Sequence, residues 1–211
     1  MDFNQLLSAF LAKYPSLSGV GADISAVYDA MVRTYRHNGK IMVCGNGGSA
    51  ADSEHIVGEL MKGFEKRRPL SAGDKKAFAE LPHGDLISEK LQKPLCAISL
   101  VSQCGVISAF ANDVDAGLVY AQQVYGYARE NDLLIALSTS GNSKNIVYAA
   151  ETAKALDLTT VAITGEKESD LSEICDVTVR LPAQSPKDVQ ELTLPVYHFL
   201  CLAVEEFFFK S

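Results

Sequence analysis

Val43-Cys44-Gly45-Asn46-Gly47-Gly48-Ser49-Ala50-Ala51-Asp52-Ser53-Glu54-His55-Ile56-Val57-Gly58-Glu59-Leu60 is the stretch that decides the fold. It starts inside an apolar run, breaks into glycines and resumes with apolar residues at helical spacing. A buried strand that ends in a glycine-rich turn and feeds a helix presents backbone N–H groups at the helix start, where an anion is favoured. His55 and Glu59, four residues apart, share one face of that helix, and Lys62 extends the stripe.

Outward from this stretch the chain alternates. Segments from about Phe3 to Lys13 and from about Leu17 to His37 carry apolar residues at helical spacing, the second stopping at the turn signal Asn38-Gly39. Ile41-Met42-Val43-Cys44 is the first strand, and its helix continues through about Lys62. A charged stretch with weak periodicity, Glu65 to Lys93, contains Pro69 and Pro82 and reads as an excursion from the core. Leu95–Leu100 is a second strand, with helical segments around Cys104–Ala111 and Gly117–Arg129 and a break at Asn112-Asp113. Asp132–Leu137 is a third, leading through Ser138-Thr139-Ser140-Gly141-Asn142-Ser143 into a helix to about Leu156. Thr159–Thr164 and Asp176–Leu181 are further strands, and Pro186 to about Phe209 is a long final helix. This order predicts an α/β fold: a single-domain three-layer αβα sandwich around a five-stranded parallel sheet, with N-terminal helices (1–39) added to the domain at 40–211. Both polar turns fall at carboxyl ends of strands, where open parallel sheets bind ligands.

Composition narrows the function. A chain of 211 residues, 47% hydrophobic and 21% charged, has the balance of a single globular domain. A net charge of −7 argues against general nucleic-acid binding, which rests on clustered Lys and Arg. Met1–Gln5 has neither a basic nor an apolar export region, and no run is long enough to span a membrane, so a cytoplasmic protein is expected. Cys44, Cys96, Cys104, Cys175 and Cys201 are scattered outside any CxxC spacing and read as reduced, packed thiols.

The chemistry lies in four places. Hydroxyls and backbone N–H groups at Ser138–Ser143 form a neutral phosphate cradle, although the same residues also make ordinary caps. The glycine turn has GxGGS spacing and lacks the GxGxxG dinucleotide fingerprint, which leaves a nicotinamide cofactor without support. His55 and Glu59 suit a metal site, a proton-transfer pair or a plain helix-surface contact. Gln190 and His198 share the final helix; eight residues advance about 12 Å and turn about 80° out of line, so reaching one metal needs a bent helix or a second subunit. Pro195 between them is a site for such a bend. The basic cluster Lys62, Lys66, Arg67, Arg68, Lys75 and Lys76 reads as a solvated face.

Together CGNGGSAADSEH with Glu59, AND at Ala111–Asp113, STSGNS at Ser138–Ser143 and VQELTLPVYH at Val189–His198 resemble the sugar isomerase (SIS) family, and within it the phosphoheptose isomerases. The resemblance implies a flavodoxin-like sheet and conversion of sedoheptulose 7-phosphate to D-glycero-D-manno-heptose 7-phosphate. It implies zinc ligated by His55, Glu59, Gln190 and His198, with Glu59 and His198 as proton-transfer groups. It places substrate on Asn46, Gly47, Gly48, Ser49, Glu59, Asn112, Asp113, Ser138, Thr139, Ser140, Ser143 and Gln190. It further implies a homotetramer with active sites where subunits meet, the N-terminal helices helping to form it. Two departures stand out: relatives carry an arginine near Gly63, where this chain has none, and the 65–93 excursion is longer than usual. Other branches of the family are a replication-initiator-binding adaptor and phosphosugar sensors, which are the competing expectations.

Overall fold

The computed structural model describes residues 2–209. Five parallel strands, β1 (Ile41–Gly45), β2 (Ala97–Ser99), β3 (Leu133–Leu137), β4 (Thr159–Thr164) and β5 (Val177–Arg180), form one sheet in the order β2-β1-β3-β4-β5. Helices cover both faces: α1 (Phe3–Lys13), α2 (Gly21–Arg36), α3 (Gly48–Met61), α4 (Ala72–Lys76), α5 (Gly84–Lys90), α6 (Cys104–Phe110), α7 (Val119–Tyr127), α8 (Lys144–Ala155), α9 (Asp170–Ile174) and α10 (Pro186–Phe208). The expected αβα sandwich is what forms.

Strand alternation divides the core. Ile41, Val43, Leu133 and Ile135 point to a layer built from α2, α3 and α10, while Met42, Cys44, Leu134 and Ala136 point to one built from α7, α8 and α9. Each β1 and β3 residue named is buried on its own face, which is why these strands read as continuous apolar runs. Phe10 of α1 stacks on Phe199 of α10 at 4.6 Å and Phe3 stacks on Tyr28 of α2 at 3.9 Å, so the N-terminal helices share the first of these cores.

The strand order has a functional consequence. Sequence passes from β1 through α3 on one face, and from β3 through α8 on the other. The chain therefore diverges between the carboxyl ends of β1 and β3, the crevice where such sheets bind ligands.

Several local readings change. The expected helix from Leu17 to His37 is divided: Pro15–Val20 is a 3-10 turn and α2 starts at Gly21. The excursion is closed at its base by a bridge between Pro69 and Gln92 and by the Lys93 N–H donating to the Arg68 carbonyl at 2.7 Å. Between them lie α4 and α5. Arg68, assigned from sequence to a solvated basic face, is instead fully buried: its Nε donates to Glu205 at 2.7 Å and its Nη1 to the Leu60 carbonyl at 2.7 Å. Glu205 also accepts the N–H groups of Phe64, Glu65 and Lys66, so the charged run hides one residue that ties α10 to the end of α3. Cys44 and Cys201 are packed as expected, but Cys96 and Cys104 are exposed.

Candidate active site

The two polar turns meet across the crevice. Asn46, after β1, and Asn145, in the first turn of α8, exchange amide hydrogen bonds at 2.8 and 2.9 Å. Sequence does not single out Asn145, because an Asn one residue inside a helix looks like ordinary first-turn chemistry. Neither α3 nor α8 has its start capped by a side chain, in contrast to α1 and α10, which are capped by Asp2 and Ser185. The N–H ends of both crevice helices are thus left to solvent or a ligand.

Glycine is required in the first turn. Gly47 holds φ at +55°, and a Cβ on Gly48 would fall 2.6–2.8 Å from the Gln190 side-chain amide. Gln190 therefore lies directly on the glycine turn. Ser49 is buried, whereas Asn46 is exposed. In the second turn Ser138 Oγ donates to Ser143 Oγ at 3.2 Å, the Gly141 N–H donates to the Ser138 carbonyl at 3.0 Å, and the Ser140 hydroxyl accepts the Asn142 N–H at 3.2 Å. Thr139 and Ser140 line a cleft shared with Gly165 and Glu166 after β4. Asn112 and Asp113 are exposed on a π-helical turn, Ala111–Asp115, with the Asn112 amide donating to Asp113 at 2.8 Å. Such turns recur at functional sites.

A second group of side chains forms lower on α3, about 10 Å along the helix from Gly48. His55 Nε2 lies 3.3 Å from Glu59 Oε1, and Lys62 Nζ lies 3.0 Å from Glu59 Oε2. The i, i+4 pair and the Lys62 stripe are formed as the spacing suggests. From α10, the His198 ring stands 5.0 Å from that of His55 at 90°. His198 Nε2 is buried and has no hydrogen-bond partner. Burial and neighbouring His55 hold the His198 pKa below its ordinary value, against an opposing pull from Glu59. Tyr197 packs beside both rings; its hydroxyl is 2.9 Å from His55 Nδ1 and donates to Asp52 Oδ1 at 3.3 Å.

The chain thus brings His55, Glu59 and His198 together, and places Gln190 with the glycine turn. α10 continues through Pro195 as one helix, with Gln190 at the glycine turn and His198 beside His55 at separate places along it. Among the described residues, no three His, Cys, Asp or Glu side chains converge into a metal-binding group. Two imidazoles and a carboxylate nevertheless suit zinc chemically, and the buried His198 Nε2 has no hydrogen-bond partner. Lys62 pairs with Glu59, while Arg67 is exposed.

Comparison with known proteins concerns the chain as a whole. SIS-domain patterns match residues 20–74 and 102–203. A phosphoheptose isomerase of Akkermansia muciniphila is 32% identical over 96% of this chain and 94% of its own length, and one of Helicobacter pylori is 32% identical over 92% and 88%. The structure of a phosphoheptose isomerase from Francisella tularensis superposes with a TM-score of 0.76 at 28% identity, covering 94% of this chain and 93% of that one. No helix among the described residues is long and apolar enough to cross a membrane. With sequence and fold in agreement, the chain belongs to the phosphoheptose isomerase family of SIS-domain proteins.

Proposed function

We propose that the protein isomerises sedoheptulose 7-phosphate to D-glycero-D-manno-heptose 7-phosphate in the cytoplasm. The observation that carries this reading is the meeting of His55 and Glu59 with the unpartnered His198. An aldose–ketose isomerase must move a proton between adjacent carbons while charge develops on oxygen. Glu59 and His198 stand on different helices, so each can face a different side of a bound carbon chain. His198, neutral because burial disfavours its charged form, accepts a proton; Glu59, beside Lys62, holds or returns one.

The phosphate end belongs at the serine turn, where Ser138, Thr139, Ser140 and Ser143 surround the open start of α8. Asn46, Gly47, Gly48, Ser49 and Gln190 hold sugar hydroxyls at the glycine turn, and Asn112 and Asp113 add to them. An open-chain heptose phosphate has its carbonyl and its phosphate at opposite ends. The reactive group and the serine turn are likewise at separate places. Zinc, held by His55, Glu59, Gln190 and His198, would polarise carbonyl and hydroxyl oxygens. With Gln190 and His198 about two turns apart along α10, this reading has the site completed where copies of the chain meet in a homotetramer, the N-terminal helices contributing to the assembly.

Incubating the zinc-supplemented protein with sedoheptulose 7-phosphate tests this. Wild type is expected to yield aldoheptose phosphate, and His55→Ala or His198→Ala to lose at least about two orders of magnitude in kcat/KM. Absence of turnover by wild type overturns the reading.

A further inference from the structure

The Tyr197 hydroxyl has two polar neighbours and one proton. Asp52 Oδ1 lies at 3.3 Å and His55 Nδ1 at 2.9 Å. An ionised carboxylate only accepts hydrogen bonds, so it takes the hydroxyl proton. The Tyr197 oxygen is then left with lone pairs facing His55, and the contact is made only if Nδ1 carries the imidazole hydrogen. That choice determines the other nitrogen: Nε2 becomes a bare lone pair, and it is this atom that lies 3.3 Å from Glu59.

We propose that Tyr197 and Asp52 are positioning residues that fix the tautomer of His55, presenting its Nε2 lone pair towards Glu59. A lone pair facing a carboxylate is unfavourable unless a cation or a proton comes between them. The pair is therefore a receptor for one or the other. Glu59 is the one competing neighbour, since its carboxylate draws a hydrogen to Nε2, whereas His198 meets the ring edge to face and Lys62 engages the far oxygen of Glu59. Tyr197 is buried on α10 and Asp52 is on α3, one turn before His55, so the relay also ties the two helices that carry the reactive group. Outer hydrogen bonds of this kind set ring orientation in histidine ligands, and their loss weakens metal binding about 10–100-fold.

The inference rests on the placement of His55 in the reactive site, and its test is separable from that placement. Long-range 1H–15N correlation spectra of the metal-free protein, recorded well above the ordinary imidazole pKa, report which ring nitrogen of His55 is protonated. Wild type is expected to show a pyrrole-type Nδ1 and a pyridine-type Nε2. Asp52→Ala frees the Tyr197 proton for Nδ1, and the two signals should exchange character. Tyr197→Phe, which keeps the ring packing, should lose the Nδ1–H preference and weaken zinc in chelator competition about 10–100-fold. A wild-type Nε2–H tautomer, or an unchanged tautomer in Asp52→Ala, overturns the proposal. If the tautomers behave as expected but wild type neither binds zinc nor turns over, the relay stands and the isomerase reading falls.

Discussion

Replacing Glu205 by Gln is expected to destabilise the protein severely, because the carboxylate is fully buried and satisfies four donors. Its Oε1 accepts the Phe64 N–H at 2.8 Å and Arg68 Nε at 2.7 Å, while Oε2 accepts the Glu65 and Lys66 N–H groups at 2.8 and 3.1 Å. Whichever way a glutamine amide is turned, its NH2 faces two of these donors, and Arg68 becomes a buried charge without a counterion. Breaking such a pair from one side costs about 3–5 kcal/mol. For a chain of this size each kcal/mol moves the melting midpoint by about 2–4 °C, giving a fall of roughly 6–20 °C. Burial pushes the Glu205 carboxyl up, but its backbone donors and Arg68 more than offset this and hold the pKa below the usual value. A carboxylate with a lowered folded pKa contributes stability above its unfolded pKa and loses it as pH falls through the folded one. The gap between wild type and Glu205→Gln should accordingly be full near neutral pH and narrow in acid. Urea unfolding at several pH values measures both. A difference under about 1 kcal/mol at neutral pH would refute the account of the lock, since it is below even the cost of one unsatisfied buried group.

Two further substitutions probe the crevice. Asn145→Ala removes both hydrogen bonds that hold the Asn46 amide, and KM should rise about fivefold, equivalent to about 1 kcal/mol, with kcat nearly unchanged; an unchanged KM in steady-state kinetics contradicts a positioning role for the pair. Gly48→Ala forces the Gln190 amide off the glycine turn, and should cost about 1–3 kcal/mol of stability in urea unfolding together with a fall in kcat/KM. Wild-type values for both would show that Gln190 is not needed where it lies.

The sheet is legible in the sequence because its inner strands are buried on both faces: Ile41–Cys44 and Leu133–Leu137 stand out from any neighbouring stretch, and a polar turn follows each. The apolar run predicts β2 at Leu95–Leu100 and the strand is only Ala97–Ser99, since an edge strand pairs on one side and its ends leave the ladder early. The short helices α4, α5 and α9 give no sequence signal because they bury almost nothing, leaving no periodic apolar stripe to detect. Arg68 misleads for a different reason. A charge run shows which residues are charged, whereas burial depends on a partner 137 positions away in sequence.

Arg68 also connects this structural lock with the chemistry. Besides bonding Glu205 it reaches the Leu60 carbonyl and, at 3.3 Å, the Glu59 carbonyl, so it closes the C-terminal end of the helix whose side chains include His55 and Glu59. The free carbonyls of a helix end need partners, and here a buried guanidinium supplies them. The same α10 that contributes Glu205 contributes His198 and Tyr197 two turns earlier and Gln190 at its start. One helix thus meets α3 at the glycine turn, at the reactive group and at its terminus. A shift of α10 along its axis would disturb all three places together, which is why the position of Glu59 relative to His198 depends on an ion pair in the excursion's base. Among the residues of this chain, that dependence is what the spacing of His55 and Glu59 alone could not reveal.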